Sequence, residues 1–185
     1  ATLSHETLLI DLDPQANSTS GLGIQKDEVK FSIYDVLMND TLLEDVILPT
    51  DIEWCELVPS GLALVGAEVE LVNVLSRETR LKDALSKFDR VYEYIIIDCP
   101  PSLGLLTINA LTAANSLIIP VQCEYYAMEG LSRLLELQTK LKRVLNPKLV
   151  VDGVLLTMYD SRINLSGQII NEIKKYFGDK VYKTI

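Results

Sequence analysis

The chain has 185 residues, of which 48% are hydrophobic and 23% are charged, and its formal net charge at pH 7 is −9. This is the composition of a folded globular protein, and it excludes an intrinsically disordered or collagen-like chain. No apolar run reaches the ~20 residues of a membrane span, and the first residues lack the features of a secretory signal, so we expect a cytoplasmic protein without membrane attachment.

Strands that alternate with helices are predicted along the whole chain. An apolar run over residues 7–12 predicts a buried strand, and helical spacing over 32–39 predicts the first helix. Residues 68–88 predict one long helix or a broken pair, whose shared apolar face consists of Val69, Val72, Leu75, Leu81, Leu85 and Phe88. The later pattern predicts strands over 94–98, 116–121, 149–157 and 181–185, and helices over 104–115, 128–145 and 166–177.

This alternation favours a doubly wound α/β domain, in which helices cover both faces of a mostly parallel sheet. The run YIIID over 94–98 shows no alternation, which is typical of a strand that is buried on both faces. We expect one domain over residues 1–185. The chain has no initiating Met and begins close to a central-type strand, so we also expect it to be truncated and to lack the strand and phosphate loop that usually open such a sheet.

Acidic side chains follow two of the predicted strands. Asp98 ends an apolar run and precedes Cys-Pro-Pro-Ser, the pattern of a Walker B aspartate that holds Mg²⁺ directly or through water. Asp11 and Asp13 lie two residues apart and would point the same way on an extended strand, where they could position water or share Mg²⁺. The alternative is that these carboxylates only cap turns and helices.

Pro14 breaks the chain after the first strand, and Gln15 begins a polar stretch of the kind found in switch loops. The phosphate-binding pattern GxxxxGK[ST] does not occur in these 185 residues, so the sequence does not support autonomous ATP hydrolysis by this chain. His5 is the only histidine, which leaves no Ser-His-Asp site, and we interpret it as a surface residue.

Acidic residues are concentrated in the first half of the chain. Residues 1–93 carry 7 Lys and Arg against 18 Asp and Glu, whereas residues 94–185 carry 10 against 8. The average acidity argues against nucleic-acid binding. The second half could nevertheless present a weakly basic patch, and a solvated surface of mixed charge is the alternative.

Four segments, in this order, resemble the ParA or Soj partitioning ATPases: IDLDPQANSTSGLG, YIIIDCPPSLGLLTINALTAANS, IPVQCEYYAMEGLS and GVLLTMYDSR. These belong to the deviant Walker A group that also includes MinD. The resemblance implies a P-loop NTPase-like fold, Mg²⁺ and ATP as cofactors, and an ATP-dependent homodimer. It also implies non-specific DNA binding on the nucleoid and ATP hydrolysis that a DNA-bound ParB-type partner stimulates.

The same resemblance implies roles for individual residues. Asp13 would help to organise the attacking water and the metal, and Asp98 would bind the metal. Two segments would act as switches, with the residues Pro14, Gln15, Pro100, Pro101, Ser102 and Gly104. Gln122 and Glu124 would lie near the nucleotide, and Thr157 and Met158 near its adenine. Arg162, Lys174 and Lys175 would contact DNA, although Arg162 could instead form a salt bridge with Asp160.

Two segments of the family pattern are missing from the chain. The phosphate loop KGGVGKT is expected before residue 1, and IPRNVRLSEAP is expected after residue 185. Two other interpretations therefore stay open, namely a non-catalytic interaction domain and a MinD-like regulator of the division site. An amide-forming synthetase of the same fold fits these segments less well, and the pattern does not separate chromosome from plasmid partitioning.

Overall fold

The structure, a computed structural model, describes residues 4–123, 127–159, 162 and 164–183. The chain divides into two compact units, Ala1–Ala113 and Ala114–Ile185. The first unit contains four strands: β1 Thr7–Asp11, β2 Leu48–Pro49, β3 Cys55–Val58 and β4 Tyr94–Asp98. Its helices are α1 Asn17–Gly21, α2 Ile33–Met38, α3 Leu64–Glu70, α4 Arg80–Ser86 and α5 Leu105–Ala113, with 3₁₀ turns at Leu43–Asp45 and Leu71–Asn73.

The sheet of the first unit has the strand order β2-β3-β1-β4. Strand β1 pairs in parallel with both β3 and β4, and only the two-residue β2 runs antiparallel. The prediction of an α/β fold with a mostly parallel sheet is thus confirmed. In the register of β1 and β4, Asp11 stands opposite Asp98.

The core of the first unit lies on one face of β1. Leu8, Ile10 and Leu12 are fully buried there because alternate residues of a strand share a face. They pack against apolar side chains of the helices, among them Leu37 of α2, Leu64 of α3 and the other members Ile33, Ala67, Leu81 and Leu106. Each fully buried leucine or isoleucine contributes about 1.5–3 kcal/mol relative to an exposed one.

Strand β4 is not buried on both faces as its sequence predicts. Tyr94, Ile95 and Ile96 are 55%, 40% and 53% exposed. The physical reason is its position, since among the described residues β1 is the only strand that pairs with β4 in this sheet. The continuous apolar run therefore lies at the edge of the sheet.

The stretch predicted as one long helix or a broken pair is a broken pair, α3 and α4, and it begins earlier, at Leu64. The predicted shared face is wrong in its first half. Helix α3 buries Leu64 and Ala67 and the following turn buries Leu71, whereas Val69, Val72 and Leu75 are 74%, 52% and 90% exposed. The cause is that both faces of α3 carry apolar residues, so periodicity alone does not decide which one is buried.

The second unit contains strands β5 Ser116–Gln122 and β6 Val150–Thr157, helices α6 Ala127–Val144 and α7 Asn164–Phe177, and a 3₁₀ turn at Gly178–Lys180. The two strands are parallel, and their register places Gln122 opposite Thr157. Val154, Leu156 and Ile173 form the centre of its core. In the predicted last strand, Val181 makes a single parallel bridge to Val154, and residues 184–185 lie outside the described residues.

None of the helices in the described part of the chain is long and apolar enough to cross a membrane. Strands β2 and β3 and the short helix α1 are not predicted from the sequence. Each has at most five residues, too few for a hydrophobic period to show.

Candidate functional site

The carboxyl ends of β1 and β4 bring three aspartates of the first unit to one edge of the sheet. Asp11 and Asp98 are the last residues of these strands and stand opposite each other. The Leu12 N–H donates to the Asp98 carbonyl at 2.8 Å, so the hydrogen bonding between the two strands continues one residue beyond Asp11. Asp13 is the next residue after Leu12. Ligands of open α/β sheets bind at this edge, so the location fits a binding site.

Asp11 is fully buried and anchors helix α1 to the strand. Its Oδ2 accepts hydrogen bonds from the backbone N–H and from the hydroxyl of Thr19, both at 2.7 Å. The same Thr19 hydroxyl accepts from the N–H of Ser60 at 2.9 Å, so one buried network joins three segments of the chain. Asp11 thus has the capping role that the sequence left open as the alternative to catalysis.

Burial raises the pKa of the Asp11 carboxyl above its ordinary value, and the hydrogen bonds from Thr19 and Asp13 oppose that rise. The nearby Asp98 carboxylate adds a smaller upward contribution. A carboxyl that is fully enclosed and already bonded to protein donors has no free face for a metal ion. Asp11 therefore holds the site together and does not line it.

Asp13 is only partly buried and begins a tight turn. Its Oδ1 accepts from the N–H of Gln15 at 2.9 Å, and its carbonyl accepts from the hydroxyl of Ser60 at 2.8 Å and from the N–H of Ala16 at 2.9 Å. Ala16 has φ of 52°, a left-handed conformation that non-glycine residues adopt where the surroundings impose it. The turn fixes the backbone of Asp13 while its second carboxylate oxygen has no bond to the protein among these contacts.

Asp98 is also partly buried, and its Oδ2 accepts from the hydroxyl of Ser18 in α1 at 2.5 Å. In the described residues, no group of three or more His, Cys, Asp or Glu side chains is placed to hold a metal ion. Mg²⁺ commonly takes only one or two carboxylates and completes its shell with water and phosphate oxygens. The oxygen donors of Asp98, Ser18 and Asp13 fit that ion.

The loop after β4 connects this site to α5. Pro100 is buried, and Pro101 and Ser102 are exposed. The Thr107 hydroxyl in α5 donates to the Ser102 carbonyl at 2.6 Å, which ties the loop to the helix. Cys99 lies between the carboxylates, and burial, followed by the charges of Asp98 and Asp13, raises the pKa of its thiol to about 12.

Gly104 ends the same loop and is pressed against Glu68 of α3. A Cβ placed on Gly104 would lie 2.0 Å from Oε1 of Glu68, so a larger residue could enter only if this carboxylate moved. Oε1 of Glu68 is buried and has no hydrogen-bond partner among the described residues. The contact joins α3 to the predicted switch segment.

The second unit brings two of the predicted nucleotide-binding residues together. Gln122 and Thr157 end the parallel strands β5 and β6 and stand opposite each other. The next residue, Met158, is 74% exposed and has φ of 54°. Glu124, predicted to lie near the nucleotide, falls outside the described residues.

The residues predicted to contact DNA lie in the second unit as well. Arg162 is exposed in a turn before α7, and Lys174 and Lys175 are exposed in the last turn of that helix. Lys175 forms an ion pair with Glu172 at 2.9 Å. Asp160, the alternative partner of Arg162, falls outside the described residues, so that alternative stays a prediction.

The sequence predicted Ser18 and Thr19 only as polar members of a switch-like loop, not as partners of Asp98 and Asp11. It assigned no site role to Ser60, Glu68 or Lys26, whose Nζ donates to the Gln15 carbonyl. Ser18 and Thr19 stand in the polar stretch after Pro14, and that stretch is the signal that could have found them. Ser60 is 41 residues from its partner Thr19 and has no such signal.

Comparison with known proteins identifies the family. A family model described as an AAA domain matches residues 1–151. The sporulation initiation inhibitor protein Soj of Bacillus subtilis is 56% identical over 185 residues, which are the whole of this chain and 73% of that protein. The chain belongs to the ParA/Soj family of partitioning ATPases. The chromosome partitioning protein ParA of Myxococcus xanthus is 51% identical, and the chain spans 65% of its length.

A solved structure agrees with the fold. A protein of Mycobacterium smegmatis described as cobyrinic acid a,c-diamide synthase, with bound ADP and magnesium, is 38% identical with a TM-score of 0.88. The match covers 96% of this chain and 72% of that one. Nucleotide and magnesium are thus found in a close structural relative of this ParA/Soj-family chain.

Proposed function

We propose that this chain is the switching part of a partitioning ATPase that segregates chromosome or plasmid DNA. In the whole protein, Mg-ATP drives formation of a homodimer, the dimer binds DNA without sequence preference, and a DNA-bound ParB-type partner stimulates hydrolysis. The observation that carries the proposal is a pair of carboxylates, Asp98 at the end of β4 and Asp13 two residues after the end of β1, together with the loop of residues 100–104 that follows β4. The protein would act in the cytoplasm, on the nucleoid.

Asp98, supported by the Ser18 hydroxyl, and Asp13 are the residues that would hold Mg²⁺ and order the attacking water. When bound, the ion supplies charge stabilisation at the phosphoryl group that is transferred. Asp13 suits the water-ordering role because the turn at Gln15 and the bond from Ser60 fix its backbone. Asp98 suits the metal-binding role because Ser18, on a helix anchored by Asp11, orients its carboxylate.

Two segments act as switches in this proposal. The first carries Pro14 and Gln15, and the second carries Pro100, Pro101, Ser102 and Gly104. Both begin within three residues of a strand-end aspartate, so a change in ligation at Asp13 or Asp98 would move them directly. Gln122, Glu124, Thr157 and Met158 would contact the nucleotide. The support is the position of Gln122 and Thr157 at the carboxyl ends of parallel strands.

The test is Mg-ATP binding by calorimetry and ATP hydrolysis, measured on the 185-residue chain and on the full-length protein. We expect the full-length protein to bind Mg-ATP, and D98A and D13A to abolish hydrolysis while D89A, an exposed aspartate, does not. ATP-driven dimerisation is followed by light scattering. A full-length protein that neither hydrolyses ATP nor binds DNA would contradict the proposal and favour a non-catalytic interaction domain.

The name of the M. smegmatis structure gives a second candidate, a synthase that forms amides. The two candidate functions differ in what ATP hydrolysis requires. A partitioning ATPase hydrolyses ATP with DNA and a protein partner alone, whereas a synthase consumes ATP only with its acid substrate. A MinD-like regulator would be indicated by ATP-dependent binding to lipid vesicles.

A further inference from the structure

The loop that follows β3 reaches the candidate site from a third strand. Because β3 and β4 both pair with β1 in parallel, the carboxyl ends of all three strands lie at the same edge of the sheet. Ser60, two residues after the end of β3, is fully buried there. Its hydroxyl donates to the Asp13 carbonyl at 2.8 Å, and its N–H donates to the Thr19 hydroxyl at 2.9 Å. A buried hydroxyl is thus bonded to the backbone of the residue that would order the attacking water.

The residues on either side of this serine hold the loop in place. The Pro59 carbonyl accepts from the N–H of Ile33, the first residue of α2, at 2.9 Å. The Gly61 carbonyl accepts from the N–H of Leu64, the first residue of α3, at 3.0 Å. A Cβ placed on Gly61 would lie 3.3 Å from Oγ of Ser32, so the loop packs closely against the beginning of α2. The serine hydroxyl is therefore presented from a rigid support.

The bond from Ser60 differs in range from the other bonds to Asp13. Among the described residues, the Asp13 N–H donates to Asp11 at 3.2 Å, its Oδ1 accepts from the Gln15 N–H, and its carbonyl accepts from the Ala16 N–H, the last two at 2.9 Å. These bonds join residues two or three positions apart, so they shape the turn without placing it on the sheet. The bond from Ser60 spans 47 residues. It ties the turn to a neighbouring strand.

The Asp13 carbonyl receives two donors at once. A carbonyl oxygen has two lone pairs, and here they accept from the Ser60 hydroxyl and the Ala16 N–H. The peptide group between Asp13 and Pro14 is therefore held in one orientation. Since the side chain departs from the same backbone, this also fixes where the second carboxylate oxygen of Asp13 lies.

We propose that Ser60 is a positioning residue for ATP hydrolysis, and that its hydroxyl holds the backbone of Asp13 so that the free carboxylate oxygen meets the attacking water. The inference rests on the proposed function, which gives Asp13 that role. Ser60 acts through Asp13 and contributes nothing to nucleotide binding. A displacement of about 1 Å at a group that orients a reactant can lower the rate about a hundredfold, so one hydrogen bond at this point is sufficient to matter.

The first test measures hydrolysis by the full-length protein. S60A removes the hydroxyl and keeps the N–H that bonds to Thr19. We expect S60A to lower kcat at least about tenfold while the Kd for Mg-ATP, measured by calorimetry, changes less than about twofold. S60T keeps a hydroxyl on the same carbon atom and should retain kcat within about threefold of the wild type.

Ser32 provides a matched control. It is also a buried serine, it lies against the same loop, and its hydroxyl accepts from the Tyr34 N–H at 3.3 Å instead of bonding to Asp13. S32A should leave kcat within about twofold of the wild type, and circular dichroism shows whether each variant is folded. Equal losses of kcat in S60A and S32A would mean that any loosening of the loop slows hydrolysis, and would overturn the proposal. A loss of Mg-ATP affinity as large as the loss of kcat would also overturn it.

The second test needs no nucleotide and does not depend on S60T being folded. Amide hydrogen exchange of the full-length protein is followed by NMR. S60A should speed the exchange of the Ala16 N–H, which shares the Asp13 carbonyl with the Ser60 hydroxyl, at least about fivefold. The Thr19 N–H, which donates to Asp11, is the internal control and should not change. Unchanged exchange at Ala16 overturns the inference even where the wild type hydrolyses ATP, whereas a wild type without hydrolysis contradicts the proposed function whatever the exchange shows.

Discussion

The hydroxyl of Thr19 donates to Asp11 and accepts from the Ser60 N–H within the buried core of the site. Thr19→Val keeps the shape of the side chain, but it leaves the buried Ser60 N–H without its acceptor and removes one of the two hydrogen bonds to Asp11 Oδ2. We expect a loss of about 2–3 kcal/mol in the free energy of unfolding, measured by urea denaturation. Ser20→Ala, which removes an exposed hydroxyl from the same helix, should cost less than about 0.5 kcal/mol. Equal costs would show that the buried network contributes little.

Asp11 makes stability depend on pH. Because its pKa is raised in the folded protein, the folded state holds the Asp11 proton more tightly than the unfolded chain, whose Asp pKa is about 3.9. The stability of the wild type should therefore fall, relative to Asp11→Asn, as the pH rises from about 4 toward 7. Thermal melts across this range measure it. A constant difference between wild type and Asp11→Asn across this range would contradict the prediction.

Cys99 should be a slow nucleophile. With its thiol pKa raised to about 12, almost none of it is thiolate near pH 8, and the thiolate is the reactive form. We expect iodoacetamide to label the folded protein at Cys99 at least about tenfold more slowly than the unfolded protein, as measured by mass spectrometry of its peptides. Rapid labelling of Cys99 in the folded state would show that the loop after β4 opens readily.

Helix α2 begins with a capping box, in which the Ser32 side chain accepts from the Tyr34 N–H and Asp35 accepts from the Ser32 N–H. Ser32→Ala removes the hydrogen bond from the Tyr34 N–H to the buried Ser32 hydroxyl. We expect a loss of about 1 kcal/mol in the free energy of unfolding. Ser86→Ala, at the end of α4, is the control for the loss of an exposed serine hydroxyl. If the two substitutions had equal, small effects on the free energy of unfolding, the Ser32 cap would not stabilise α2.

The elements that could be predicted from the sequence are those with long apolar patterns. Strands β1, β4, β5 and β6 follow from runs of Leu, Ile and Val, and their order predicts the parallel sheet and the strand-end positions of Asp98 and Thr157. Strand β3, CELV, is four residues long and is interrupted by a glutamate, so no pattern marks it. The exposed face of α3 could not be assigned because burial is decided by which neighbour packs on it.

The site was predicted only where it is local in sequence. The turn at Asp13 follows from Pro14 and the polar residues after it. The bonds from Ser18 to Asp98 and from Ser60 to Thr19 span 80 and 41 residues, so they depend on the completed sheet. Hence the carboxylates and the polar stretch could be found from the sequence, but not which hydroxyl bonds to which partner.

Charge is divided between the two units of the molecule. The second unit has 10 Lys and Arg against 7 Asp and Glu, a net charge of +3. If DNA binds there through Arg162, Lys174 and Lys175, the double variant K174Q/K175Q should weaken binding and reduce the slope of log K against log salt by about 2. Filter binding at several salt concentrations measures this. K140Q on α6 is the control, and an unchanged slope would place the DNA elsewhere.

The position of β4 at the edge of the sheet favours aggregation of the protein in solution. Among the described residues, Tyr94–Asp98 is an apolar strand that pairs on one side only, and it has no lysine, proline or bulge to discourage another strand from adding to it. Such an edge is a template for ordered aggregation, whose rate rises steeply with concentration and with time in storage. We therefore expect Tyr94–Asp98 to limit how long concentrated samples of this chain stay free of aggregates.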